Sequence, residues 1–138
     1  MPSSLTYDSF FDDLSKGNVS SADTYYILLV SGYTPNKGTH AKRSDVTGEI
    51  TGTGYTTGGQ SVTITEAMNT TTHLLTWTPS TVTWTTATIS ATGAVIYKHR
   101  GGASSADNLV GYLDFGGTIT STGGSFVVTN SAPLSVQN

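Results

Sequence analysis

Threonine and serine dominate this sequence and constrain most strongly what it can fold into. Together they make up about a third of the 138 residues, whereas charged residues account for 11%, against about a quarter in an average soluble domain. Threonine branches at Cβ and is stiff at χ1, so it favours a pleated strand over a helix. The sequence contains no cysteine, which excludes disulfides and thiolate ligands. We therefore predict an all-β fold that apolar packing, strand pairing or a partner chain stabilises.

Short apolar segments follow one another at the spacing of strands in a β-sandwich. About eight or nine such segments, separated by Gly-rich turns, recur every 8–12 residues or so, as in sandwiches and barrels. The sequence contains no repeat, linker or break in composition. We therefore predict a single β-sandwich domain over residues 1–138, of jelly-roll or immunoglobulin-like type. Residues 1–17 form a helical N-terminal arm in this prediction, and residues 24–138 form the sandwich.

One short helix is predicted before the strands. Its apolar side chains recur at i, i+3, i+4 and i+7, the spacing of one helix face, at Tyr7, Phe10, Phe11 and Leu14. Lys16 and Gly17 are placed to end the helix. So short a helix is marginal alone, and its aromatic face must dock either on its own domain or, as an arm, on a neighbouring subunit. The four apolar residues are therefore candidate partner contacts.

Several local patterns predict how the strands are built. Val82 and Trp84 share one parity of the alternation, but the apolar residues that follow share the other, which predicts a β-bulge near Thr85–Thr86. Three glycine pairs, at 58–59, 116–117 and 123–124, are predicted to form turns. Residues 49–55 and 60–67 are predicted as a hairpin or two successive strands. The apolar run at 25–30 predicts a strand covered on both faces, or covered on one face and used as an interface on the other.

The ionisable residues form no recognised catalytic or metal-binding motif. His40, His73 and His99 lie far apart in sequence, whereas zinc sites usually contain two histidines at short spacing. No Gly-x-Ser-x-Gly elbow is present, and the carboxylates, among them Asp107 in a loop and Asp114 in a strand, are few and scattered. We therefore predict no catalytic residue, no metal and no cofactor. A glycan hydrolase, with two acids facing each other across a cleft, is the enzymatic alternative.

Two further groups of residues are candidate contacts. Lys98 and Arg100 precede a Gly-rich loop without the spacing of a phosphate-binding loop, so they form either a solvated strand end or a contact for an acidic partner surface. Trp77 and Trp84 flank the Pro79 turn. Exposed tryptophans on a sheet can stack on sugar rings, whereas core tryptophans are commoner in a sandwich. Both interpretations stay open from the sequence.

Charge and hydropathy bear on nucleic-acid and membrane partners. The formal net charge of −3 disfavours nucleic-acid binding, because phosphate contacts need a basic face. No apolar run approaches the roughly 20 residues that span a bilayer, so we expect no membrane partner. Residues 1–13 lack the basic and apolar regions of a secretory signal. We therefore expect a soluble protein made in the cytosol.

Several strings of this sequence resemble a family of small structural proteins of tailed bacteriophages. The strings are residues 7–14, 26–30, 33–35, 40–46, 49–59, 94–97, 109–116 and 124–126. The most specific of them reads E-x-x-G-T-G-Y-T-x-G-G and occupies residues 49–59. The resemblance covers nearly the whole chain. It implies a virion structural protein that is assembled in the host cytoplasm. It implies no catalytic residues.

The resemblance implies a role in the particle and a set of partners. The leading expectation is a capsid decoration (cement) protein that binds the major capsid protein or other virion proteins. Because capsids are symmetric, a homo-oligomer, guessed to be a trimer, is expected. The alternative is a head-fibre, tail-fibre or receptor-binding module that contacts host surface glycans through Trp77 and Trp84.

Overall fold

The computed structural model describes residues 3–129 and 134–137; residues 1–2, 130–133 and 138 of the predicted domain lie outside the described residues. The elements are β1 (Ser3–Thr6), α1 (Asp8–Lys16), β2 (Tyr25–Val30), β3 (Gln60–Val62), β4 (Ile64–Asn69), β5 (Leu74–Pro79), β6 (Val82–Lys98), β7 (Leu109–Val128) and β8 (Leu134–Gln137). Two short 3-10 helices, Arg43–Asp45 and Ser104–Ala106, lie in the connections. The prediction of an all-β fold with one short helix near the N-terminus is confirmed.

The strands form two antiparallel sheets. The larger sheet has the order β1-β7-β6-β2-β3, and the smaller has the order β4-β5-β8. The chain passes from the larger to the smaller sheet at Thr63, which exchanges hydrogen bonds with Ser80, between β5 and β6. Trp77 of β5 is part of the core that the larger sheet and α1 share, and Ile64 and Leu75 pack against it. The arrangement is therefore sandwich-like.

Strand β2 is covered by this chain on both faces. Tyr25, Ile27 and Leu29 lie in the first core cluster, which includes residues of α1 and the small sheet. Leu28 and Val30 face the other way and lie in a second cluster with residues of β6 and β7. The predicted two-sided burial is confirmed, and the alternative of an interface on one face is wrong, because both faces are already occupied.

Helix α1 docks on its own domain. Phe10 is 2% exposed, and its ring centroid lies 4.8 Å from that of Trp77 in an edge-on contact. Tyr7 precedes the helix as its N-cap, with an extended backbone (φ −70°, ψ 141°), so its ring leaves the predicted stripe and enters the second core cluster. Gly17 ends the helix in the left-handed conformation, as predicted.

This burial corrects the prediction of Tyr7 and Phe10 as partner contacts. A side chain without exposed surface offers nothing to a neighbouring molecule, and each of these two rings fills a core of its own domain. Phe11, which is 40% exposed, and the half-buried Leu14 stay accessible in part. Of the three aromatic side chains predicted to contact a neighbouring subunit, Phe11 is therefore the one that remains accessible.

Strands β6 and β7 form one long hairpin where the sequence predicts several shorter strands. Trp84 pairs with Phe126 and Ala87 pairs with Gly124, so three steps along β6 match two along β7. Thr86 adopts a φ of 49° at this position. The predicted bulge at Thr85–Thr86 is therefore confirmed.

Two of the three glycine pairs lie inside a strand and not in a turn. Gly116 and Gly123 have φ values of 78° and 67° within β7, and the register between β6 and β7 shifts near each of them. A positive φ at one residue permits a bulge without ending the strand, so the predicted turns at 116–117 and 123–124 are wrong. Gly58 and Gly59 have φ values of 94° and 81° and form the predicted turn before β3.

Candidate functional site

The string at residues 49–59, which carries the most specific resemblance, forms a loop and not the predicted strand. Glu49 makes an isolated bridge to Val30 at the end of β2, and Thr53 makes one to Thr88 in β6. The loop therefore extends the edge of the larger sheet past β3 and reaches across to the distal half of the hairpin.

A carboxylate closes this loop. Glu49 Oε2 accepts hydrogen bonds from Tyr55 Oη at 2.7 Å and from the Gly58 N–H at 2.6 Å. Tyr55 Oη accepts from the Leu29 N–H at 3.1 Å, and Tyr97 Oη donates to the Gly58 carbonyl at 2.6 Å. Burial, together with the nearby Glu49 carboxylate, raises the pKa of Tyr55 well above its ordinary value, so Tyr55 keeps its proton as a donor. We name these contacts of Glu49, Tyr55 and Gly58 the Glu49 clasp.

Three of the four glycines of the string lie where a side chain would collide with the sheet. A Cβ on Gly52 would lie 2.6 Å from the Thr88 carbonyl oxygen, and a Cβ on Gly54 would lie 2.9 Å from Ala87 Cα. A Cβ on Gly59 would overlap a backbone carbonyl of β2. Close packing of this loop on β2 and β6 therefore accounts for Gly52, Gly54 and Gly59.

The predicted basic contacts bind partners within the chain. Lys98 Nζ lies 2.9 Å from the Asp23 carboxylate and donates to the Asn18 carbonyl at 2.7 Å. Arg100 donates from Nε and Nη2 to Asn108 Oδ1 at 3.2 and 2.9 Å. The Lys98 bonds tie the loop after α1 to the end of β6, and the Arg100 bonds join the two ends of the connection between β6 and β7. Lys98 and Arg100 therefore bind groups of their own chain, although Arg100 is exposed to solvent.

Asp107, which follows these two basic residues in the chain, is fully buried. It accepts from Arg43 Nε at 2.8 Å and from the Arg100 N–H at 3.1 Å. The Arg43 guanidinium lies 5.0 Å from the centroid of the Tyr97 ring, within the range of a cation–π contact, and burial raises the pKa of Tyr97 to about 12. Sequence reasoning placed Asp107 in a loop and missed this role, because its ionic partner lies 64 residues away.

The three histidines lie in separate surroundings. His40 Nδ1 is 2.7 Å from Tyr33 Oη, His99 stacks on the Tyr26 ring with centroids 3.9 Å apart, and His73 is exposed in the turn before β5. In the described part of the chain, no three His, Cys, Asp or Glu side chains are grouped as ligands of a metal ion. Within the same residues, no helix has the length and apolar character that a membrane crossing requires.

The two tryptophans are core residues, which confirms the core interpretation and shows that the alternative, a glycan platform, is wrong. Trp77 and Trp84 are 2% and 1% exposed. Trp77 contacts Phe10 and Tyr25 at centroid distances of 4.8 and 5.7 Å, and Trp84 contacts Phe126 at 6.2 Å. A ring enclosed in this way has no free face on which a sugar could stack.

The open surface beside the loop is polar and nearly free of charge. A groove of about 600 Å³ lies between residues 48–51 and the distal half of the β6–β7 hairpin. Its hydroxyl-bearing lining residues are Ser31, Thr51, Thr88, Ser90, Thr120, Ser121 and Thr122. Glu49 is the charged residue in this lining, and its carboxylate is engaged in the Glu49 clasp. The groove surface therefore carries mainly hydroxyl and methyl groups.

Comparisons with models of protein families, with curated proteins and with solved structures found no match to this chain.

Proposed function

We propose that this chain is a structural protein of a bacteriophage particle, of the decoration or cement class, which binds the capsid exterior and stabilises it through protein–protein contacts. The major capsid protein is the proposed partner, and the virion, assembled in the host cytoplasm, is the proposed location. The resemblance of residues 49–59 and the other strings to small tailed-phage proteins supports this role.

One contrast in the structure supports a contact role most directly. The charged side chains of Lys98, Arg100 and Asp107 bind partners within the chain, whereas the groove and the adjoining hairpin are rich in hydroxyl groups and nearly uncharged. Charged residues are depleted in the cores of protein interfaces, because their desolvation is costly. A surface with few charges therefore costs less to desolvate when it packs against another protein.

A cement protein acts through repeated contacts and needs no chemical step. A symmetric shell presents the same site many times, so modest contacts at each site add up over the particle. Loops that are already rigid lose less entropy when they bind. The Glu49 clasp and the buried Asp107 network hold the loops of this domain in that way.

A non-enzymatic role is part of the same proposal. Asp107 is fully buried and paired, and Asp13 accepts hydrogen bonds from the side-chain amides of Asn18 and Asn108. Asp114, on the exposed side of β7, accepts from the N–H of Gly116. These carboxylates have roles in the fold, which supports a structural protein over a glycan hydrolase.

The test is the copy number of this chain in purified particles of the phage that encodes it. Quantitative mass spectrometry should find it in about a simple ratio to the major capsid protein, as the symmetry of a shell requires, and separated heads should contain it while separated tails should not. Particles that lack it should release DNA at a lower temperature, and purified chain added back should restore the wild-type value. Absence from the particle, or only a few copies in it, would contradict this role.

The fibre or receptor-binding alternative has lost the residues that motivated it, because Trp77 and Trp84 are buried. Copy number separates this alternative from the decoration role, since fibres occur in few copies per particle. Binding on a glycan array, together with reduced adsorption of a deletion phage to its host, would favour the fibre alternative. We expect neither result.

A further inference from the structure

A small cavity lies beside β2, where the connection from β2 to β3 meets the connection from β6 to β7. Its volume is about 240 Å³, and it is lined by Leu28, Arg43, Ser44, Val46, Glu49 and Ser104. Leu28 belongs to β2, whereas Arg43 and Ser104 belong to the two 3-10 helices. The lining therefore combines two opposite charges, two hydroxyl groups and two aliphatic side chains in one small space.

The two charges that line this cavity do not pair with each other. Arg43 forms its ion pair with Asp107 at 2.8 Å, and Glu49 forms no ion pair within the described part of the chain. Both nevertheless lie close to Tyr97: burial raises the pKa of its hydroxyl, Arg43 opposes that rise, and Glu49 adds to it. Two opposite charges therefore border the same small space without direct contact.

Neighbouring groups hold both charged side chains in place and leave part of each one free. Arg43 Nε donates to Asp107. Glu49 Oε2 accepts both hydrogen bonds of the Glu49 clasp. Among the described residues, the two Nη groups of Arg43 and Oε1 of Glu49 have no hydrogen-bond partner. A few polar groups in fixed positions are typical of small-molecule sites, and a preformed site loses little conformational entropy when it binds.

We propose that this cavity binds a small neutral α-amino acid, with its carboxylate on the Nη groups of Arg43 and its ammonium group on Oε1 of Glu49. Hydrogen bonds between charged groups are about twice as strong as those between neutral groups, and guanidinium with carboxylate is the best matched of these pairs. Leu28 and Val46 supply apolar surface for a short aliphatic side chain. The site does not depend on a place in a phage particle, so it and the proposed function can fail separately.

The size and charge of the cavity favour an amino acid over other small molecules. A volume of about 240 Å³ equals that of about eight water molecules at roughly 30 Å³ each, so a ligand of about six to eight non-hydrogen atoms fits, such as alanine, serine or valine. A simple anion meets the carboxylate of Glu49, and a simple amine meets the guanidinium of Arg43, so each leaves one charge of the lining uncompensated. A sugar offers hydroxyl groups to both residues but compensates neither charge.

Titration calorimetry of the full chain with L-alanine, together with amide NMR spectra, tests this assignment. L-Alanine should bind and shift the N–H signals of Ser44 and Ser104. Propionate lacks the ammonium group of alanine and ethylamine lacks its carboxylate, so each should bind at least about tenfold more weakly. The proposal is overturned if L-alanine does not bind up to about 10 mM, ten times the Kd of a weak site of about 1 mM. Equal binding of propionate, ethylamine or glucose would overturn it as well.

Two neighbouring serines provide matched variants. Ser104 and Ser105 share the second 3-10 helix, but Ser104 lines the cavity and Ser105 is exposed. Ser104→Leu should fill the cavity and lower the affinity for L-alanine at least about tenfold, whereas Ser105→Leu should bind as the wild type does. If Ser104→Leu does not fold, Glu49→Gln decides, because its amide keeps an oxygen for the Glu49 clasp but removes the charge that holds the ammonium group. Wild-type affinity in Ser104→Leu or in Glu49→Gln would refute the site.

Discussion

Replacement of Gly59 by alanine tests most sharply how the loop at 49–59 is held on the sheet. Gly59 and Gly101 both have a φ of 81°. A Cβ on Gly59 would overlap the carbonyl oxygen of Ile27 and lie 2.6 Å from its carbonyl carbon, whereas a Cβ on Gly101 would meet no atom within 4 Å. Both alanine variants therefore carry the same left-handed backbone strain, but Gly59→Ala adds a collision with β2.

The expected difference can be worked out from the contacts. A left-handed backbone costs an L-residue about 1–2 kcal/mol, so Gly101→Ala should lower the free energy of unfolding by about that amount. Gly59→Ala must also move the loop away from β2, which disturbs three residue pairs between β2 and β3 and the Glu49 clasp. At about 1 kcal/mol for each hydrogen bond, the loss of two or three adds roughly 2–3 kcal/mol.

Urea unfolding followed by the fluorescence of the two buried tryptophans measures this difference. With an m value of about 1.5–2 kcal/mol/M, a gap of about 2–3 kcal/mol separates the two midpoints by roughly 1–2 M. Gly58→Ala, whose Cβ would lie 3.4 Å from Tyr97 Oη, should fall between them. If Gly59→Ala and Gly101→Ala unfold at the same urea concentration, the loop is not packed on β2 as described.

Two further pairs of variants separate buried from exposed contacts. Asp107→Ala leaves the Arg43 guanidinium without its carboxylate and should lower the free energy of unfolding by about 3–5 kcal/mol. Asp12→Ala removes an exposed ion pair and should lower it by at most about 0.5 kcal/mol. Similar urea midpoints for the two variants would contradict the burial of Asp107. Phe10→Ala, a core truncation, should lower the free energy of unfolding by about 3–5 kcal/mol, whereas Phe11→Ala, at a more exposed ring, should lower it much less. If Phe10→Ala changes the oligomeric state but not the thermal stability, the Phe10 ring is a partner contact.

The features predicted correctly depend on the local pattern of the chain. The change of parity between Trp84 and Ala87 is visible in the sequence, and because side chains in a strand alternate strictly, only an extra residue at Thr85–Thr86 can keep both sets on one face. The end of α1 at Gly17 is local in the same way, since a left-handed residue there costs glycine little. Both features need only the backbone of their own neighbourhood.

The errors concern the same residue types in tertiary surroundings that the sequence does not show. Gly116 and Gly123 were predicted to end strands, but pairing of β7 with β6 carries the strand through them as bulges. Tyr7 matched the spacing of the helix stripe, but the pairing of β1 with β7 holds it in an extended conformation before the helix. In each case strand pairing over a long sequence distance outweighs the local signal.

The sequence by itself determined that this chain is all-β, with one short helix near the N-terminus and a bulge at a known place, because threonine content, alternation and spacing act over a few residues. Only the tertiary structure decided that Trp77 and Trp84 are buried, that Asp107 meets Arg43, and that no described strand pairs with the outer edge of β7 beyond Asp114. Burial, ionic pairing and edge exposure depend on which distant segments meet, and no local pattern in the chain encodes that.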